Sequence, residues 1–290
     1  MHENVQALLA TLSLSPEESV NGEDMFSAPS QVMPHGRMYG GQVMAQSLTA
    51  AALTVPDDRP AHSLHGYFLR AGDDTKPVTF SVDRIHDGRS FSTRRTQAYQ
   101  NGVPILSMIA SFQRVDPGLE HQTNMPDNVP APESLPTVSE YLGPVEHPVA
   151  QYWATRRPFD LRYLEKPIYL VVEGEHVAHQ AVWMKCLSPL PDDPALHRAA
   201  LTYVSDYTIL EPIYRRHGIA WATRGLHTAS LDHAMWFHRD GRADEWMLYV
   251  QESPSAQGGR GLSLGRIYAA DGTLIASVAQ EGMVRVPRDN

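Results

Sequence analysis

Two short stretches of this chain are versions of one pattern. Asn101-Gly102-Val103-Pro104-Ile105-Leu106-Ser107 aligns with Asp271-Gly272-Thr273-Leu274-Ile275-Ala276-Ser277 at an offset of 170 residues. Phe68-Leu69-Arg70 aligns with Phe237-His238-Arg239 at an offset of 169. Two matches at nearly one offset indicate an internal duplication, so the chain is expected to fold as two copies of one unit. In the first copy a short helical pattern spans 3–12. A second helix, from Gly40 to Leu53, is apolar or small on nearly every side and is stopped by Pro56. A helix with so little polar face is buried on most sides. After it the period changes to two, with strands read at 62–70, 78–85, 90–100 and 105–113. Asp87-Gly88 and Asn101-Gly102 stand between them as hairpin dipeptides.

The second copy repeats the plan. Asp193-Pro194 combines a capping side chain with proline at the first helical position. The helix it opens extends to 217 at most, and Pro212 limits its regular part to about Leu210. Strands are read at 229–238, 246–252, 261–270 and 274–285. A sheet that wraps one long helix satisfies both copies and gives an α+β fold.

Seven of the 22 prolines lie between Pro117 and Pro148. Proline removes a backbone donor and fixes φ, so this stretch is expected to hold neither helix nor sheet interior. The reading is a linker over 117–151 between units at 1–116 and 152–290.

Charge narrows the partners. The chain has 24 Lys+Arg against 33 Asp+Glu, a formal net charge of -9, and no Lys/Arg run longer than two. Phosphate binding along a nucleic acid needs a basic face, so no nucleic-acid partner is expected. The only cysteine, Cys186, rules out an internal disulfide framework or a Cys-based zinc site and suits a reducing compartment. The start, MHENVQALLATLSLSPEESV, has no cation before its apolar stretch, which argues against a secretory signal. No run of about 18 apolar residues exists to span a membrane. The expected location is the cytoplasm.

Several motifs invite chemistry and fail on context. Gly261-Leu262-Ser263-Leu264-Gly265 fits G-x-S-x-G, but it runs into a strand and hairpin rather than a helix, and no histidine follows His238. Ser263 therefore reads as a strand residue. Ser230-Leu231-Asp232-His233 holds all three triad types, yet neighbours in a strand point to opposite faces, so Asp232 and His233 do not converge. His62/His65 and His176/His179 have turn-like spacing but no third ligand at a recognisable distance, so no metal is expected. Cys186 lies in an apolar strand pattern and reads as a buried small hydrophobe. No phosphate loop or dinucleotide fingerprint occurs, and no cofactor is expected.

Two residues stand out. Asp206 sits mid-helix on the reading above, among Thr202, Tyr203, Ile209 and Leu210. A carboxylate there is costly unless it is paired or lines a cavity, so a structural and a functional role stand equally open. Gln280 interrupts an apolar strand, and its counterpart in the first copy is Ala110. The polar residue occurs in one copy only, which suggests that one half holds the chemistry, although a polar strand end is the simpler reading.

Six blocks then connect these features to a family. Gly40-Gly41-Gln42-Val43, His62-Ser63-Leu64-His65-Gly66-Tyr67-Phe68-Leu69-Arg70, Asp87-Gly88-Arg89-Ser90-Phe91-Ser92-Thr93-Arg94-Arg95, Ala110-Ser111-Phe112-Gln113, Asp232-His233-Ala234-Met235-Trp236-Phe237-His238 and Gln280-Glu281-Gly282 occur in this order. Together they resemble the acyl-CoA thioesterase II (TesB-like) family. The resemblance implies a double hotdog, two helix-in-sheet units side by side in one sheet. It implies hydrolysis of acyl-CoA thioesters to free acid and CoA, and a homo-oligomer, a dimer or tetramer of the double unit. It implies a catalytic set of Asp206, Ser230 and Gln280, all from the second unit. Of these, Ser230 comes from the resemblance alone. Such a site needs no metal or cofactor. The first-helix amides at Gly40-Gly41-Gln42 are candidate oxyanion donors, and Arg37, Arg94, Arg95 and Arg260 are candidate partners for CoA phosphates. Two other readings remain: a hotdog enoyl-CoA hydratase, which would need a histidine closer to Asp206 than His217, and a non-catalytic acyl-CoA binding protein.

Overall fold

The computed structural model describes residues 1–286. Its helices are α1 (Glu3–Leu12), α2 (Gly40–Ala52), α3 (Val138–Leu142), α4 (Pro148–Thr155), α5 (Pro194–Ser205) and α6 (Glu211–Arg216). In the first half the strands are β1 (Ser15–Val20), β2 (Glu23–Ala28), β3 (Ala61–Phe68), β4 (Val78–Asp87), β5 (Phe91–Gln100) and β6 (Val103–Gln113). In the second they are β7 (Phe159–Tyr163), β8 (His179–Cys186), β9 (His227–Ser230), β10 (Asp232–Phe237), β11 (Met247–Gln257), β12 (Arg260–Ala269) and β13 (Leu274–Arg285).

One antiparallel sheet takes the order β1-β2-β4-β5-β6-β3-β10-β13-β12-β11-β8-β7, with β9 also paired to β13. Outward from the β3–β10 junction, the two sides run in the same order. The likeness extends to single hydrogen bonds. The amides of Leu69 and Arg70 both donate to the Ile105 carbonyl, and those of His238 and Arg239 both donate to Ile275. The fold is an α+β double hotdog, with α2 and α5 packed against each other inside the sheet. At the junction Leu64 stands opposite Met235, and neither has any solvent exposure.

α2 shows why a helix so free of charge suits this place. Val43, Met44, Ala45, Leu48, Ala50 and Ala51 are buried, and so are Gln42, Gln46 and Ser47. The glutamine amides do not go unmet. Gln46 Nε2 donates to the carbonyls of Thr11 and Pro29 at 2.9 Å each, and Gln42 Oε1 accepts from the Gln31 amide at 3.1 Å.

Some expectations need revision. β1, β2 and β7 were not read from the sequence, because they are short and β1 is exposed throughout. Gly88 does not take a positive φ, unlike Asn101 and Gly102 at φ 50° and 74°. The turn there is held instead by the Asp87 carboxylate, which accepts from Ser92 and Arg94. The 117–151 stretch is not free of helix. It contains a 3-10 turn at Pro132–Ser134, α3 and the start of α4. Pro132 and Pro148 lie in first turns, where a missing N–H removes no helical bond. Thr137 and Glu140 form a capping box on α3. The stretch also lies across the outer face of the second half. There Trp183 Nε1 donates to the Pro130 carbonyl at 2.9 Å, and Met125, Val129 and Leu135 pack on Trp183, Leu248, Val250, Tyr268 and Leu274.

The junction makes a stability prediction. Leu64→Ala should lower unfolding free energy by about 2–5 kcal/mol, the range for a buried leucine that leaves a cavity. Urea denaturation measures it, and a loss below about 1 kcal/mol would show that the junction relaxes around the cavity.

Candidate functional site

Asp206 is not mid-helix. α5 ends at Ser205, and Asp206 is its C-cap, with φ -84° and ψ -9°. The backbone must break before Pro212, whose ring would clash with an upstream carbonyl, and α6 restarts at Glu211. A helix C-terminus is the negative end of the dipole and repels a carboxylate. The N-terminus of α2 reverses this. The Gly41 amide donates to Asp206 Oδ2 at 2.8 Å. Two glycines permit the approach. A Cβ on Gly40 would lie 2.7 Å from Asp206 Oδ2, and one on Gly41 would lie 2.3 Å from the Tyr203 carbonyl.

The other carboxylate oxygen meets the remaining two sequence candidates. Asp206 Oδ1 accepts from Gln280 Nε2 at 2.9 Å and from Ser230 Oγ at 3.3 Å. Gln280 Nε2 also donates to Ser230 Oγ at 2.8 Å. Asp206, Ser230 and Gln280 thus come together from the end of α5, from β9 and from β13.

Strict strand alternation does not bring Ser230 here. Ser230 stands opposite Gly282 and Ala234 opposite Ala279. Leu231, Asp232 and His233 therefore face only Gln280 and Glu281. The extra residue is a β-bulge, and it reverses the alternation so that Ser230 and His233 both face inward. Asp232 Oδ1 accepts the Glu281 amide at 2.7 Å, and the Leu231 amide donates to the Glu281 carbonyl at 2.9 Å, so the bulged backbone keeps its partners. The adjacent Ser230, Asp232 and His233 form no triad, as the alternation argument held for Asp232 and His233. The first copy bulges at the matching place, where Ala61 faces Phe112 and Ser63 faces Ser111.

His233 was set aside in the sequence reading, yet it lies beside the cluster. It is buried, its Nδ1 is hydrogen-bonded to Gln280 Oε1, and its Nε2 lies 3.0 Å from Ser205 Oγ. Burial pushes the Asp206 carboxyl above the ordinary carboxylate range. The His233 ring opposes this most, followed by the hydrogen bonds from Gln280, Gly41 and Ser230. Next to the cluster Tyr39 stacks on Tyr207 with ring centres 5.0 Å apart, and the Arg157 guanidinium sits 4.3 Å from the Tyr207 ring centre.

The other candidates separate cleanly. Gly41's amide is committed to Asp206 and Gln42's to the Tyr39 carbonyl at 3.2 Å, which removes both as free oxyanion donors. Arg94 is buried and bonded to Thr54 and Asp87 and to the carbonyls of His86 and Thr93, so it does not face a ligand. Arg95 pairs with Asp83 and Arg260 with Glu281, each at 3.1 Å, while Arg37 is exposed. Ser263 is a buried residue of β12, as read. The Cys186 thiol is buried and pushed up to about 11, which leaves little thiolate. Clefts of about 340 Å³ by α1 and α4 and about 560 Å³ by the 270–272 turn are lined by none of Asp206, Ser230 or Gln280. Among the described residues no group of three or more His, Cys, Asp or Glu could hold a metal, and no helix is long and apolar enough to cross a membrane.

Known proteins match along most of the chain. The profile of the family described as acyl-CoA thioesterase matches residues 155–283, and that of the acyl-CoA thioesterase N-terminal domain matches 28–113. Acyl-CoA thioesterase 2 of Haemophilus influenzae is 37% identical over 90% of this chain and 92% of its own length. Human acyl-coenzyme A thioesterase 8 is 37% identical over 98% of this chain and 91% of its own. The chain belongs to the acyl-CoA thioesterase II (TesB-like) family. As a member of it, the chain is an acyl-CoA thioester hydrolase. The crystal structure of the thioesterase II TesB2 from Mycobacterium marinum is 41% identical and superposes with a TM-score of 0.76 over 98% of this chain and 99% of that one. A hot dog fold protein from Alicyclobacillus acidocaldarius, 18% identical with a TM-score of 0.77 over 97% of this chain and 99% of that one, shares the fold.

In this thioesterase the helix contact at Asp206 can be tested by size alone. Gly41→Ala should destabilise the protein by about 1–3 kcal/mol, the range for overpacking. Chemical denaturation reads the change, and an unchanged midpoint would mean that the two helices part without cost.

Proposed function

We propose that Asp206, Ser230 and Gln280 hold one water over the thioester carbon and that Asp206 is the general base. The convergence of all three side chains within 2.8–3.3 Å supports this reading. A thioester is an activated acyl group, so no covalent enzyme intermediate is required. The water oxygen bonds to the carbonyl carbon as Asp206 takes a water proton. The tetrahedral intermediate then collapses, the carbon–sulfur bond breaks, and Asp206 returns the proton to the departing sulfur. The products are a free acid and CoA. Ser230 and Gln280 fix the direction of attack. The raised carboxyl makes Asp206 a stronger base than a solvent-exposed aspartate.

The substrate we infer is fatty acyl-CoA, with the acyl chain between helix and sheet and Arg37 as the exposed cation, of the four considered for the CoA phosphates, that makes no ion pair among the described residues. The division into units at 1–116 and 152–290 is supported by the mirror-like strand order and by the two family profiles, which match either side of the linker. A homo-oligomer is supported by the outer face of the first half and the junction, where Tyr67, Ile109 and Trp236 are exposed. A cytoplasmic location is supported by the single, buried cysteine.

Three measurements test the mechanism. Asp206→Asn keeps the size but cannot take the proton, and free-thiol release should fall by about 10²–10⁴-fold. Full turnover in that variant would place the base elsewhere. Because the base must be ionised, kcat/KM of the wild type should fall on acidification, with its midpoint above the usual aspartate value of about 3.9. A profile flat down to about pH 4 would contradict the raised carboxyl. Ser230→Ala with an undiminished kcat would remove that hydroxyl from the water site.

A further inference from the structure

We propose that His233 is a positioning residue, which with Ser205 holds the Gln280 amide in the one orientation that serves the Asp206 cluster. The inference rests on the water-positioning reading above. An amide presents nitrogen and oxygen with nearly the same shape, so its partners decide its orientation. Gln280 Nε2 donates to Asp206 Oδ1 at 2.9 Å and to Ser230 Oγ at 2.8 Å, which uses both amide hydrogens. Rotated by half a turn, the amide would set its oxygen against the carboxylate and leave Ser230 without its donor. What prevents that rotation must be a donor on the far side, and the His233 Nδ1 next to Gln280 Oε1 is that donor. Both residues are 1% exposed, so water does not compete for the bond.

Ser205 makes the arrangement independent of the histidine's charge. Its hydroxyl lies 3.0 Å from His233 Nε2 and 3.0 Å from the Thr202 carbonyl. With a neutral ring, Nδ1 holds the proton and Ser205 donates to Nε2. With a charged ring, Nε2 donates to Ser205, and the hydroxyl turns to donate to Thr202. Nδ1–H faces Gln280 in both states. One rotating hydroxyl therefore serves either hydrogen-bonding arrangement at Nε2 and leaves Nδ1–H on Gln280.

A second observation comes from the duplication. The position of the His233/Gln280 cross-strand pair is held in the first copy by Leu64 and Ala110, which face each other across β3 and β6. The last residue of the helix is Ser205 in one copy and Ala52 in the other. The fold thus accommodates an apolar set at these places. The polar set occurs where Asp206 is, and each of its members is linked by hydrogen bonds to the next.

The test uses the full-length protein and variants that reproduce the first copy or keep one ring nitrogen. His233→Leu should keep the fold and KM and lower kcat about 10–100-fold, the scale of a misplaced catalytic group. His233→Asn places an amide N–H near the Nδ1 position and should recover most of the loss, whereas His233→Gln, which reaches to the Nε2 position, should not. In a Gln280→Ala background, His233→Leu should cost nothing further, since the group it positions is gone. The proposal is overturned if His233→Leu keeps wild-type kcat, if Asn and Gln lose activity equally, or if the leucine costs the same in both backgrounds. Should the leucine variant not fold, the Asn/Gln comparison alone decides. A wild-type kcat in Asp206→Asn would instead overturn the mechanism itself, so the two failures are distinct.

Discussion

A carboxylate stands at the wrong end of a helix, and the second half is organised around making that tolerable. Asp206 caps the C-terminus of α5, where the dipole disfavours a negative charge by about 0.3–1 kcal/mol. The N-terminus of α2 brings a positive helix end and the Gly41 amide to the same place. The contact exists only because β3 pairs with β10, which joins two sheets into one and sets α2 against α5. Neither half alone contains this arrangement. The first half supplies the amide, and the second supplies the acid, the hydroxyl and the glutamine.

The duplication shows how one unit came to differ from the other. At the places of Ser230 and Gln280, the first copy has Ala61 and Ala110, both buried. An apolar set packs without needing partners. A polar set in the same positions must be satisfied in full, since a half-paired buried network is worse than an apolar core. That is why the changes extend beyond the three side chains to His233 and Ser205, and why the bulge matters. Asp232 and Leu231 pair the bulged backbone with Glu281, which leaves the inward face free for Ser230.

Much of the fold was legible in the residues. The span of α2 follows from a stretch without charge between Gly40 and Pro56. β13 matches the period-two reading end to end, because Asp271-Gly272 marks its start and its apolar residues alternate around Gln280. Legibility failed where long-range contacts override local pattern. β1 has no buried face, so no alternation exists to read, and it is a strand only because β2 offers it a ladder. The proline-rich stretch holds helical turns because Pro132 and Pro148 stand in first turns, where the missing N–H costs nothing, and because Thr137 and Glu140 cap α3.

The sequence by itself determined the duplication and the α+β class and singled out two of the three cluster residues, while the family was legible only as a resemblance carried by six ordered blocks. The first three follow from local periodicity and from residue types that are costly where they stand. Asp206 and Gln280 stood out because polar groups interrupt apolar patterns. Only the tertiary structure decided which way Ser230 and His233 face. Their side chains depend on one extra residue in a strand, and a bulge is defined by the partner strand, not by the residues that form it. The same holds for the role of Gly41, which is set by its contact with Asp206, 165 residues away in the chain, and which no local spacing records.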